Sequence, residues 1–450
     1  MSASLTIQLF HGARWHDAAR LQLEQPELGR QGEAALGYER DYALQWLERD
    51  DEYACSLVLP VELMLSHRAP HWFGFLDDIM PSGAARRYWV GQLGLQGLRG
   101  DRQDFELLKW GTIAPVGNLR VRESMENLPD YSTVRERRFT VGDVAERHTD
   151  FLEYAQQMGA VSGGATGAGG EAPKLLLRCS ERNEVWIDTF QDDVVCPDRH
   201  YLVKFPRGQR SERDCDILRG EYAYYCELDA LGIDTIDASA MRLVEGEQYP
   251  SLWLPRFDVC HVDGQLQRFG LESVYSILHE PPATPLRHGD AIRRLVAVLQ
   301  QQYRVRELDE SFDREAFVSQ WLQRDLLNIV FGNSDNHGRN TAFLKTPAGI
   351  RLSPVYDFAP MKADPEGIIR TLQWGAPLEA GGDYNWPAIA ASLSDVATPE
   401  RLMADLRTLA GRLAGLRDRL MTRGMPETLL RVPALGLDTV DDRLKRWELL

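Results

Sequence analysis

The sequence predicts an α+β protein of two lobes, with a mixed α/β N-terminal lobe and a mostly helical C-terminal lobe. Three observations lead there. At 450 residues the chain exceeds what one ordinary core serves. Short apolar runs bounded by turn residues fill its first half. From about Leu271 longer runs with a helical apolar period take over, interrupted by one hairpin.

Composition narrows the classes. A hydrophobic fraction of 44% and a charged fraction of 26% are those of a soluble globular protein. The net charge of −16 argues against gripping nucleic acid with the chain's own field, although a basic partner can still bring it to DNA. The six cysteines are scattered without a CxxC pair, so neither a zinc site nor a disulfide scaffold is indicated. No basic leader with an apolar run and no stretch of bilayer length occurs, which makes the cytoplasm the expected location, away from membranes.

Residues 1–125 read as one subdomain. Leu5–Phe10 alternates like a strand, and Tyr42–Trp46 and Ser56–Leu59 read as further short strands. A helix begins near Ser82 and runs to Leu93, and Phe105–Trp110 is another. Val116–Val121 is a turn into a strand, and the charged Arg120–Arg138 stretch with Pro129 reads as a linker. Residues 126–258 form a second part. It has a helix over Val141–Met158, a glycine run over Gly159–Gly170, and strands at Pro173–Cys179, Val185–Phe190 and His200–Pro206. A helix over Asp214–Leu231 and strands at Ala240–Glu245 and Ser251–Phe257 complete it. Residues 259–450 are the helical part, with Arg314–Val330 its clearest helix and Glu400–Arg423 and Thr439–Leu450 closing the chain.

Chemistry gathers around Asp335-Asn336-His337-Gly338-Arg339-Asn340, a polar loop at the exit of that clear helix. An aspartate five positions before an asparagine, followed by Asp357 after the hairpin Thr341–Ser353, is the order that phosphoryl transfer needs. Asp335 is the candidate base for a hydroxyl, and Asn340 and Asp357 are candidate oxygen ligands for Mg²⁺ against ATP phosphates. Upstream, half of the twelve residues Gly159–Gly170 are glycine, which lets backbone amides approach phosphate oxygens, although a flexible linker has the same composition. Lys204 stands in an otherwise apolar strand, where a lysine is costly unless paired or serving a ligand. Glu221 on the next helix is a weak candidate to orient it, and reads more simply as one of several solvated acids there, with Asp214, Asp216, Glu227 and Asp229. Leu252–Asp258 leaves a strand towards the helical half, where a bilobed kinase has its hinge, although an ordinary interdomain crossing reads the same. His337 lacks a second histidine at zinc-ligand spacing, so hydrolytic metal chemistry ranks low, and Trp374 reads as a core residue.

At these residues the chain resembles the HipA family of bacterial serine/threonine kinases, the toxin half of type II toxin–antitoxin systems. Phe75–Gly83 and Phe105–Val121 resemble the family's N-terminal subdomain. Gly170-Glu171-Ala172-Pro173-Lys174, preceded by Gly169, resembles its G-x-Q-P-K loop, Tyr201–Lys204 its ATP-lysine strand, and Arg256-Phe257-Asp258 its R-F-D hinge. Ser334–Asn340 and Tyr356-Asp357 match D-x-H-x-[KR]-N and Y-D. The resemblance implies a bilobed kinase-like fold, MgATP, and phosphorylation of serine or threonine on a cellular protein such as an aminoacyl-tRNA synthetase. It implies ATP-binding roles for the loop residues, Lys204, Arg256, Phe257, His337, Asn340, Tyr356 and Asp357, and restraint by a small helix-turn-helix antitoxin that meets operator DNA. Two departures stand out: the loop glutamine is Ala172, and the loop serine that members autophosphorylate has only Ser162 and Thr166 as candidates. The rival reading is a nucleotide-binding pseudokinase acting as a regulatory module, and a third is a small-molecule kinase.

Overall fold

The structure is a computed structural model that describes residues 2–126, 134, 136–158, 174–191, 193–305 and 312–450. The chain divides into two compact units. Met1–Arg210, Ser239–Pro282 and Thr341–Pro354 make the first, and Ser211–Ala238, Ala283–Asn340 and Val355–Leu450 the second. The predicted hairpin thus belongs to the first unit, while the Asp335 loop before it and Asp357 after it belong to the second.

Among the described residues the first unit holds a five-stranded antiparallel sheet, ordered Ser66–Ala69, Ala34–Tyr38, Arg14–Leu23, Ala3–His11, Leu119–Val121. Its apolar face packs Leu5, Ile7, Leu9, Leu21 and Leu36 with Phe73, Leu76, Leu107 and Leu108, all buried. The Ser82 helix spans Gly83–Gln92, and the next spans Gly100–Trp110. Two short strands read from the sequence are not strands. Arg40–Trp46 is a helix, because Tyr42 and Ala43 face inward while Leu44 turns out at 57% exposure, a pattern that five residues of apolar sequence cannot separate from a strand. Ser56 and Leu59 share only an isolated bridge across a tight turn.

A second sheet of the first unit runs Arg242–Glu245, Pro250–Pro255, Arg199–Lys204, Lys174–Cys179, Glu184–Trp186, Phe139–Thr140. The strand expected to reach Phe190 stops at Trp186. The expected helix to Met158 is two, Val141–Ala145 and Thr149–Gln157, parted at Arg147, whose φ of +53° leaves the helical region. Two features of this unit were not anticipated. Val259–Val262 and Gln265–Arg268 form a hairpin, and Gly270–Ser273 adds a third strand beside Ala342–Thr346 and Gly349–Leu352. Glu272 on that third strand is 2% exposed and accepts from Ser56 Oγ (2.5 Å), the Leu57 amide (2.9 Å) and Ser276 Oγ (2.9 Å), with Lys345 Nζ 3.4 Å away. One buried carboxylate therefore pins the Ser56 turn to the central hairpin.

The second unit is helical. Ser211 caps Glu212–Ala230 through a reciprocal box with Asp214, two residues earlier than the sequence suggested. Asp313 caps Arg314–Val330, whose bounds match the predicted ones, and Phe317, Val318, Trp321, Leu322, Leu326, Leu327 and Val330 are buried along it. The predicted Glu400–Arg423 helix is broken into Pro399–Leu413 and Leu416–Thr422 at Gly415, where φ is +69°. Of the five acids read as solvated on this helix only Asp229 is exposed: Asp214, Asp216, Glu221 and Glu227 are all buried. Arg419 and Arg423 close on Glu227 at 2.7 and 2.5 Å, and Thr428 donates to Asp216.

Glu272→Gln leaves Lys345 buried without its counter-charge and should lower stability by about 3–5 kcal/mol. Urea denaturation checks this, and a loss below about 1 kcal/mol contradicts the pinning role.

Candidate active site

The helix Arg314–Val330 delivers a polar loop on a rigid support. Gly332 makes the exit possible: its φ is +69°, and a Cβ there would stand 2.8 Å from a Leu435 methyl and 3.2 Å from its Cα. The loop then ties several of its own polar groups together. Asn333 Nδ2 donates to Asn328 Oδ1 (2.8 Å), and the Asp335 amide donates to Asn333 Oδ1 (3.2 Å). Asn340 Nδ2 donates to the Asp335 carbonyl (2.8 Å), and the Asn340 amide to the His337 carbonyl (3.0 Å). The D-x-x-x-x-N spacing is therefore a closed ring, with Asn340 tied back to Asp335.

That ring fixes the orientation of the Asn340 amide. Its nitrogen is spent on Asp335, and its Oδ1 is buried and accepts no hydrogen bond among the described residues. A buried amide oxygen with no donor suits a hard cation such as Mg²⁺. No group of three His, Cys, Asp or Glu among the described residues can hold a metal by itself. Mg²⁺ commonly takes one or two protein oxygens and completes its shell with phosphate and water, which two protein ligands would satisfy.

His337 is buried, and its Nδ1 accepts from the Arg339 amide at 3.2 Å, so a neutral ring carries its proton on Nε2. Nε2 lies 3.3 Å from Asp335 Oδ1. The Asp335 side chain, 25% exposed, keeps access to a reacting group while this neighbour limits its rotation.

Tyr356 and Asp357 are brought to the same loop. Tyr356 Oη donates to the Arg339 carbonyl at 2.5 Å. On either side the backbone is tied: the Val355 amide donates to the Asp234 carbonyl (2.8 Å), and the Phe358 amide to Tyr225 Oη (3.2 Å). Between these ties Asp357 has φ +51°, an unfavourable region for an aspartate that surrounding bonds must impose. Tyr225 Oη in turn donates to Glu221 Oε1 at 3.1 Å. Burial first, then the nearby charges of Glu221 and Asp357, push the Tyr225 phenol well above its ordinary range, so it remains a donor. Sequence reasoning missed Tyr225. Its signal was only a tyrosine one helical turn after Glu221.

In the first unit the lysines sit on one face of the second sheet. Tyr201 and Val203 enter the core with Leu177 and Cys179, so Leu202 and Lys204 lie on the opposite face. Register places Lys174 directly across from Lys204, and Leu176 from Leu202, with Leu252 and Leu254 on the far side. The face thus carries two lysines at one end and a leucine patch beside them. Like charges directly opposite on a sheet repel. Lys204 is only 4% exposed. At the hinge segment the Arg256 amide continues the sheet to the His200 carbonyl (2.9 Å). The Arg256 guanidinium grips Asp258 at 2.9 and 2.5 Å, and Asp258 also accepts from the Gly117 amide at 2.6 Å. Burial raises the Asp258 carboxyl, but Arg256 and these hydrogen bonds outweigh it and hold the pKa below the ordinary value. Phe257 is half-buried between them. Gly169, Gly170, Glu171, Ala172, Pro173, Ser162 and Thr166 lie outside the described residues.

A family profile described as HipA-like C-terminal domain matches residues 166–414. Toxin YjjJ of Escherichia coli (strain K12) is 29% identical over 227 residues, 48% of this chain. The match spans 43% of that relative's own length. Among solved structures, the toxin–antitoxin complex of Shewanella oneidensis MR-1 HipA with HipB and operator DNA matches over 99% of this chain and 97% of that one. The TM-score is 0.62 at 15% identity, a likeness of fold. A Helicobacter pylori proinflammatory kinase, CtkA, aligns with 62% of this chain and 90% of its own at a TM-score of 0.35 and 10% identity.

Tyr225→Phe removes both the acceptor of the Phe358 amide and the donor to Glu221, so it should cost about 1–3 kcal/mol. Chemical denaturation of the variant measures this; an unchanged midpoint would show that Asp357 is held by other means.

Proposed function

The chain belongs to the family defined by the HipA-like C-terminal domain, and from that premise we propose that it is a protein serine/threonine kinase of the HipA toxin type. It transfers the γ-phosphate of ATP to a serine or threonine hydroxyl of a cellular protein. The observation that carries this is the Asp335–Asn340 ring. It presents a carboxylate with access to a substrate beside an amide oxygen that is buried and lacks a donor.

In this reading Asp335 accepts the hydroxyl proton as the new oxygen–phosphorus bond forms, and the bond from the γ-phosphorus to the bridging oxygen breaks to release ADP. His337, against Asp335 Oδ1, keeps the carboxylate turned towards the hydroxyl. Asn340 Oδ1 and Asp357 would hold Mg²⁺, which when bound neutralises negative charge on the phosphates. Lys204 and Lys174, cations across from one another on one sheet face, are the proposed phosphate contacts. Arg256, Phe257, Tyr356 and the segment from Gly169 to Pro173 are proposed as nucleotide contacts on the strength of the HipA resemblance alone. With Arg256 committed to Asp258 and its amide to His200, its contribution is to shape the hinge segment.

The partner we propose is a small helix-turn-helix antitoxin. The solved HipA relative was determined with HipB and operator DNA, and a chain of net charge −16 suits a basic partner that carries it to DNA. An aminoacyl-tRNA synthetase is the target class implied by the HipA resemblance, and autophosphorylation at Ser162 or Thr166 would regulate the kinase. Among the described residues no helix is long and apolar enough to cross a membrane.

Asp335→Ala should fold normally and lose phosphate transfer from radiolabelled ATP by about 10²-fold or more, since only the proton acceptor is removed. Undiminished incorporation would overturn the assignment. Asp357→Ala should weaken ATP binding in the presence of Mg²⁺ and change it little in EDTA, as measured by calorimetry; equal loss in both would remove Asp357 from the metal site.

A further inference from the structure

One buried carboxylate of the second unit is not used by the chemistry above. Asp325 lies on the helix Arg314–Val330, ten residues before Asp335, with its side chain 1% exposed. Four donors converge on it. Arg370 Nη2 reaches Oδ1 at 2.7 Å, Trp374 Nε1 reaches Oδ2 at 2.8 Å, and Asn336 Nδ2 reaches Oδ1 at 3.3 Å. His288 Nε2 is 3.3 Å from Oδ1. His288 Nδ1 accepts from Trp321 Nε1 at 2.9 Å, and an indole can only donate, so a neutral ring turns its N–H towards Asp325.

Two of these donors close a loop through the backbone. The amides of Thr371 and Leu372 both donate to the Asn336 carbonyl at 3.2 Å. The segment that carries them also carries Arg370 and Trp374, whose side chains end on Asp325. Asn336 is therefore held at its side-chain amide by Asp325 and at its carbonyl by a strap fastened to the same carboxylate. Arg370 further donates to Tyr384 Oη (2.7 Å) and to the Leu372 carbonyl (3.2 Å), which fixes the strap itself. Asn336 is the immediate neighbour of both Asp335 and His337, so a shift in this clamp moves the base and its orienting ring together.

We infer that Asp325 is a positioning residue for the reaction: with the Arg370–Trp374 strap it sets where Asp335 stands. The inference rests on the kinase reading. Removing Asp325 alone strands a buried arginine, so the informative variant is the pair Asp325→Leu with Arg370→Met, which removes both charges together. It should keep its helical circular dichroism, keep KM for MgATP within about twofold, and lower kcat about 100-fold, the expected effect of a misplaced group near 1 Å. Amide hydrogen exchange over residues 333–340 should accelerate while residues 314–330 stay protected. If the pair does not fold, Asn336→Ala, which leaves Asp325 and Arg370 joined, should show the same kcat loss and the same faster loop exchange. A folded variant with wild-type kcat, or one with unchanged loop exchange, overturns the inference. If the wild-type protein transfers no phosphate at all, the kinase reading fails separately, and the exchange comparison still decides whether Asp325 holds the loop.

Discussion

A polar loop enclosed at the end of an apolar helix must satisfy its own hydrogen-bonding groups, and in this protein that requirement governs the second unit. Nearly every group of Asn333–Asn340 is buried, where an unmet donor or acceptor costs about 1–3 kcal/mol. The loop answers with internal bonds: Asn333 to Asn328 and to the Asp335 amide, Asn340 to the Asp335 carbonyl, His337 to the Arg339 amide. The rest comes from outside through Tyr356, Asp325 and the strap at Thr371 and Leu372. What stays unmet after this exchange is informative. Asn340 Oδ1 is enclosed without a donor, and the Asp335 carboxylate keeps partial exposure. Ser334 Oγ is likewise enclosed without a hydrogen-bond partner among the described residues, so what distinguishes Asn340 Oδ1 is its place in one ring with that carboxylate.

The first unit has its own version of the problem. A lysine buried in a sheet is costly, and two placed directly across from one another are costlier still. Lys204 is buried and the half-buried Lys174 stands directly across from it, on the sheet face opposite Tyr201 and Val203 that also carries Leu176, Leu202, Leu252 and Leu254. The same unit meets buried charge at Glu272 and Asp258, where Lys345 and Arg256 supply the counter-charge and backbone amides further bonds.

Much of this was legible in the sequence where the information is local. The helix Arg314–Val330 could be bounded from its apolar period, and the Asp335, Asn340 and Asp357 spacing pointed to the loop whose internal ring the structure displays. Short elements were less legible: Tyr42–Trp46 offers too few residues to tell a strand from a helical turn, and the partner that decides the matter is a distant core. Buried charge was least legible. Asp216 and Glu227 look like solvated acids until Thr428, Arg419 and Arg423 arrive some two hundred residues later. Trp374 is indeed a buried residue, but nothing near it in sequence announces that its indole N–H ends on Asp325. Residues far apart in the chain supplied what periodicity and spacing could not.

The central claim is that this chain modifies other proteins through Asp335. Quantitative phosphoproteomics of cells expressing the wild-type chain or Asp335→Ala at equal levels tests it most directly. The account predicts one or a few phosphoserine or phosphothreonine sites that appear with the wild type and are absent with the variant. Indistinguishable phosphoproteomes, with both proteins folded and expressed, would contradict it.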